Sequence, residues 1–212
     1  MWLFNWVSKK IKPIVVRRYG ERLADSVAWD AEHEYEALIP HLPYLGGARN
    51  FDTFLIIAVA MFLAVYKPLE SRGKPVEEIG DVVYEAAEAF FASIPRSLTR
   101  LYGRLHFTRY SMRQAQKTAT ESQRRQHAGD WVFAFVEGDG EAFDWGQDFA
   151  ECGVIKFFQA QDAVEFAPQM CRLDFVFSDA FGWGLARTTT LARGDEKCDF
   201  RFKRNRSEVS PC

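Results

Sequence analysis

Cysteine and histidine are both scarce in this chain, with four of each among 212 residues. Four cysteines in a chain of this length do not build a disulfide scaffold. Free thiols in a reducing cytoplasm are the expected setting. There is no CxxC pair, and no histidine neighbours the cysteines of the last third, so metal-ligand spacing is missing. A secretory leader is not expected either, because Lys9, Lys10 and Lys12 follow the apolar start Met1–Val7 instead of preceding it. The longest apolar run, Phe54 to Tyr66, falls short of the roughly 20 residues that cross a bilayer. A buried helix is expected there, and no membrane span. Charge of one sign is also lacking: a net charge of -2 gives no overall attraction to nucleic acid. Arg124-Arg125 and Lys203-Arg204-Asn205-Arg206 are locally basic but have no aromatic ladder beside them. They read as solvated faces, and no nucleic-acid partner is expected. Repeats and low-complexity tracts are absent.

Aromatic residues are plentiful. They make up 15% of the chain, with 19 Phe, which argues for a thick core or an apolar pocket and against disorder. Helical periodicity predicts a helix from about Ile14 to Leu38, ended by Pro40 and Pro43. A glycine-rich loop, Pro43-Tyr44-Leu45-Gly46-Gly47-Ala48-Arg49-Asn50, leads into the apolar helix, which is expected to open at Asp52 or Thr53 and to close before Pro68. Pro75 opens the next helix, which runs through Ala92, and another is expected from about Pro95 to Arg125. Beyond Gly129 the texture becomes strand-like at Trp131–Glu137 and Phe143–Phe149. Short helices follow at Cys152–Phe158 and Asp162–Phe177, then strands at Leu185–Ala192 and Cys198–Phe202. The fold class is therefore α+β, with N-terminal helices followed by an antiparallel sheet of hairpins whose helices pack on one face. Residues 1–33 form an amphipathic helical extension, 34–205 a single domain and 206–212 a tail. Trp2, Phe4 and Trp6 make residues 1–12 a candidate for peripheral membrane contact. Packing on the chain's own domain or on a sister subunit is the favoured reading, so a homo-oligomer is expected.

Three cysteines sit among carboxylates, in Glu151-Cys152-Gly153, in Cys171-Arg172-Leu173-Asp174 and in Asp195-Glu196-Lys197-Cys198-Asp199. The fourth, Cys212, ends the chain. These segments, the Pro43-Tyr44-Leu45-Gly46-Gly47 loop with Asn50, and the ending Thr190-Leu191-Ala192-x-Gly194-x-x-x-Cys198-Asp199-Phe200-x-Phe202 together resemble the L-2-amino-thiazoline-4-carboxylic acid hydrolase family. The resemblance covers roughly Glu34 to Arg204. The C-terminal half is also similar to the 4-vinyl reductase type of small-molecule-binding domain. The hydrolase resemblance implies opening of a small cyclic amidine-like ring bearing a carboxylate.

Such chemistry needs attack on an electrophilic carbon, protonation of the departing heteroatom and a grip on the carboxylate. Cys152 follows a strand and opens a helix, where a thiolate is favoured, while Asp148 or Glu151 offers a general base. Cys171 and Asp174 are three apart on a predicted helix and share a face. Apolar neighbours raise the pKa expected for Asp174 towards acid catalysis. Cys198 shares its strand face with Phe200 and Phe202. Cys152, Cys171, Asp174 and Cys198 are the candidate catalytic residues. Tyr44, Gly46, Gly47, Asn50 and Arg187 are the candidate substrate-binding residues, with Arg187 as a carboxylate clamp. No cofactor and no metal is expected; a three-thiolate zinc site with an open position for water is the competing scheme. A non-enzymatic or redox-sensing binder with a Phe-lined pocket is the alternative to a hydrolase. His106 reads as an ordinary helical residue.

Overall fold

The computed structural model describes residues 2–48 and 50–204, without the side chains of Trp2, Leu3 and Trp6. Met1, Arg49 and the tail from 205, Cys212 included, lie outside the described residues. The chain divides into two compact units. The first comprises residues 1–93 and 157–170, and the second 94–156 and 171–212.

The first unit is helical. Helices α1 (Trp2–Tyr19) and α2 (Glu21–Leu38) replace the single helix expected from Ile14, because Gly20 adopts φ 86° and breaks the run. Phe4 is buried and stacks on Tyr35 at 4.7 Å, so the start of α1 packs on its own unit. Helix α3 (Phe51–Glu70) is longer than expected at both ends. Asn50 caps it, accepting from the Asp52 amide at 3.0 Å. Pro68 does not stop it, since a proline in the last turn forfeits only one hydrogen bond. At 20 residues α3 is long and apolar enough to cross a membrane by length and composition. Ten of its residues, from Ile56 to Leu69, are nevertheless buried within the fold. Helix α4 (Val76–Ala92) begins after Pro75 and binds α1 through Glu85, which pairs with Arg17 and Arg18. Residues 157–170 complete this core: Phe166 stacks on Tyr66 at 4.3 Å, and Phe158 and Phe166 are wholly buried.

The second unit is α+β. Helices α5 (Arg96–Leu105) and α6 (Arg109–Ser122) take the place of the one long helix expected, and Thr108 caps α6 through the Ser111 amide. Strands β1 (Val132–Glu137) and β2 (Trp145–Glu151) pair as a hairpin. Helix α7 (Gly153–Gln159) follows β2, α8 (Ala167–Cys171) contains Pro168 in its first turn, and α9 (Leu173–Phe181) ends on Gly182. Strands β3 (Leu185–Ala186) and β4 (Cys198–Phe202) complete an antiparallel sheet of order β1-β2-β4-β3. The register aligns Trp145 with Phe202, Gln147 with Phe200 and Phe149 with Cys198. Phe133, Phe135, Trp145, Phe149, Phe200 and Phe202 therefore share one face with Cys198. The other face carries Asp148, Asp199 and Arg201.

The threonine-rich strand expected over Leu185–Ala192 is only two residues long. The Thr188 and Thr189 amides bond the Asp199 carboxylate at 2.8 and 2.7 Å, and the Thr190 amide bonds Asp195 at 2.7 Å. Carboxylates have taken donors that a strand would have offered to its neighbour.

Candidate active site

Local structure brings the last-third cysteines together. Cys152 follows β2 directly, and its carbonyl accepts from the Lys156 amide at 3.1 Å, which starts α7. The Cys152 sulfur accepts from the Val154 and Ile155 amides. Cys171 lies on α8, two residues before α9. Cys198 opens β4 at the end of the aromatic face. The Thr190 hydroxyl joins the last two, at 3.7 Å from the Cys171 sulfur and 3.6 Å from that of Cys198. The Leu191 amide donates to the Cys198 sulfur at 3.2 Å.

Asp174, on the first turn of α9, faces the same cluster. Arg187 donates to it at 2.5 Å and to the Cys171 carbonyl at 3.0 Å. The guanidinium also lies over the rings of Phe175 and Phe200, 5.1 and 5.2 Å from their centroids. The Arg187 side chain is only 7% exposed, whereas that of Asp174 is 35% exposed. The arginine is thus the fixed partner, and the carboxylate is the group that solvent reaches.

The electrostatics follow. Burial pushes the Asp174 carboxyl up to about 6, although Arg187 pulls the other way. Burial likewise pushes the Cys152 thiol up to about 11 against its two amide donors, with Cys198 and Asp174 close enough to oppose its ionisation further. It pushes Cys171 up to about 12, reinforced by Asp174 and Cys152. Both thiols are protonated at neutral pH, contrary to the thiolate expected at the start of α7. Neither carboxylate offered as a general base for water is free for that work. Lys197 and Arg201 hold Asp148 below its usual range despite its burial, and Lys156 and Arg125 do the same to Glu151.

The profile of the L-2-amino-thiazoline-4-carboxylic acid hydrolase family matches residues 53–202. The chain belongs to that family. No curated protein and no solved structure matches it. The family match contains Cys152, Cys171, Asp174, Arg187 and Cys198, and it begins after the Pro43–Asn50 loop. That loop belongs to the first unit, and its polar groups serve α3. The Asn50 amide donates to the Leu45 carbonyl at 2.5 Å, and Thr53 donates to the Gly47 carbonyl at 2.9 Å. Gly46 and Gly47 adopt φ 89° and 91°, and the Tyr44 side chain is exposed. Among the described residues, no group of three or more His, Cys, Asp or Glu side chains is arranged to hold a metal ion.

Two features of this unit escape sequence reading. Thr190 is one threonine among three, and only the fold selects it as the link between two sulfurs. His106 is enclosed by Trp183, Trp145 and Phe202, with ring centroids at 4.4, 4.6 and 4.7 Å. Burial pushes it down to about 4.

Proposed function

We propose that the chain hydrolyses a small carboxylate-bearing cyclic amidine or amide, of the 2-aminothiazoline-4-carboxylate kind, at Asp174 with Cys152, Cys171 and Cys198 around it. The family assignment supports the reaction class. The observation that carries the site is a half-buried carboxyl, pushed up to about 6 by its burial, aimed by a buried guanidinium and bordered by thiols. A group with that pKa exchanges a proton readily near neutral pH, as an acid–base catalyst must.

Asp174 takes a proton from water as the water oxygen bonds to the amidine carbon, and the C=N electron pair moves onto nitrogen. The nitrogen takes that proton from Asp174; the ring C–N bond then breaks as the adduct's hydroxyl becomes the carbonyl, and the hydroxyl proton passes by way of Asp174 to the departing nitrogen. One water is consumed and the carboxylate is regenerated. The raised thiol pKa values move the reactive role from sulfur to this carboxylate, leaving the cysteines as neutral walls of the site. Arg187 acts on Asp174 as a positioning residue in place of clamping the substrate.

The test is turnover of thiazoline carboxylates and small cyclic amides. Asp174→Asn should lower kcat/KM by about a hundredfold to ten-thousandfold. Wild-type kcat/KM should rise with pH and level off above about 6, because the ionised carboxylate is the working form. Cys152→Ser and Cys171→Ser should keep turnover within about tenfold of wild type, and both thiols should resist alkylation at pH 7. Full activity of Asp174→Asn, or its loss in a single serine variant that still folds, would overturn the assignment.

A further inference from the structure

We infer that α5 is a docking helix for an anionic lipid surface. Its residues Leu98, Leu101, Tyr102 and Leu105 recur at helical spacing, and all lie between 55% and 58% exposed. Four large apolar side chains in one stripe facing water are unlike the scattered exposed leucines of an ordinary surface. The opposite side of α5 is spent on its own unit, where Thr99 and Gly103 are buried and Gly103 lies against the Phe181 backbone of α9. Tyr102, at one edge of the stripe, also packs its ring on Phe181 at 5.2 Å, so Leu98, Leu101 and Leu105 form the apolar face left to solvent.

Charge selects the occupant. From Ile94 to Ser122 the chain carries Arg96, Arg100, Arg104, Arg109, Arg113 and Lys117 against Glu121. Asp179 of α9 pairs with Arg96 and Arg100 and Glu121 with Lys117, which leaves Arg104, Arg109 and Arg113 exposed with no carboxylate partner among the described residues. At 100° per residue Arg104 lies about 60° beyond Leu101, at one border of the stripe, while Arg100 turns to Asp179. Arg109 and Arg113 continue the basic surface on α6, and exposed Tyr110 stands beside them. Leucines that need an apolar sink, bordered by arginines that need phosphates, with tyrosines between them, match the headgroup boundary of an anionic bilayer. Nucleic acid would satisfy the arginines and leave the leucines in water.

Flotation of the full chain with vesicles tests this. The protein should float with phosphatidylglycerol–phosphatidylcholine vesicles at least about tenfold more than with phosphatidylcholine alone, and high salt should release it. Arg104→Ala and Arg109→Ala should each weaken binding about fivefold. Leu101→Glu and Leu105→Glu should remove it, with unchanged far-UV circular dichroism and thermal melts because these side chains already face solvent. Equal flotation with both vesicle types, or none, would overturn the proposal. So would sedimentation showing a dimer that Leu101→Glu dissociates, or saturable capture of an acidic protein with no vesicle binding. The hydrolase activity of Leu101→Glu should equal wild type, so failure here is separable from failure of the proposed reaction.

Discussion

His106 and Asp174 carry opposite linkages to pH. His106 sits among Trp145, Trp183 and Phe202, and its Nε2 is buried with no hydrogen-bond partner among the described residues. Its folded pKa is about 4 against an ordinary 6.5. Between those values the unfolded chain binds the proton and the folded chain does not. Stability from this residue is complete above pH 6.5 and is lost as pH falls towards 4, by up to about 3 kcal/mol. Asp174 works the other way. Its folded pKa of about 6 exceeds its ordinary 3.8, so the folded form gains protons first and this residue favours the fold at lower pH. The wild-type melting temperature should therefore fall between pH 6.5 and 4 by less than His106 alone would dictate, because solvent screens part of the opposing contribution of the half-exposed Asp174. His106→Phe removes one side of the balance, and its melting temperature should rise on acidification relative to wild type. Parallel wild-type and variant profiles across that window would show that His106 carries no such linkage.

At the scale of elements, Gly103 explains why α5 can lie so close to α9. A Cβ at Gly103 would stand 1.8 Å from the Phe181 carbonyl oxygen, which no side-chain rotation relieves. Alanine ordinarily gains about 1 kcal/mol over glycine inside a helix. Here the backbone must move, at a cost of about 1–3 kcal/mol or more. Gly103→Ala should lower the thermal midpoint, and a raised midpoint would mean that the two helices adjust freely. The sequence says little of this contact, because a glycine inside a helical pattern reveals no partner. It was clearer where periodicity and caps agreed: Pro75 opens α4, Ala92 ends it, and Cys198, Phe200 and Phe202 share the inner face of β4. It misled where long-range bonds decided. Pro68 looked like a stop, and the threonines at 188–190 looked like a strand until Asp199 and Asp195 took their amides. The sequence named Cys152, Cys171, Asp174, Arg187 and Cys198, which the fold sets near one another, but not Thr190, which links two of the sulfurs. The chemistry of the site was not legible, since the direction of a thiol's pKa shift depends on burial that only the fold supplies.

For the whole molecule, the path of the chain matters more than any one contact. Residues 157–170 belong to the first unit, yet they interrupt the second between Cys152 and Cys171. Two candidate site residues are thus joined by a segment anchored elsewhere through Phe158 and Phe166, both with no measurable exposure. Phe166→Ala removes the ring stacked on Tyr66 and should destabilise the first unit by about 3–5 kcal/mol. Once that unit loosens, the interrupting segment frays, α7 and α8 lose their inner ends, and Cys152 and Cys171 lose the geometry they have around Asp174. In urea, turnover by Phe166→Ala should disappear at lower denaturant than in wild type. The loss should come before the Trp145 and Trp183 fluorescence reports unfolding of the second unit. Activity that persists until the tryptophan transition in both proteins would mean that the second unit holds its candidate site residues without help from residues 157–170.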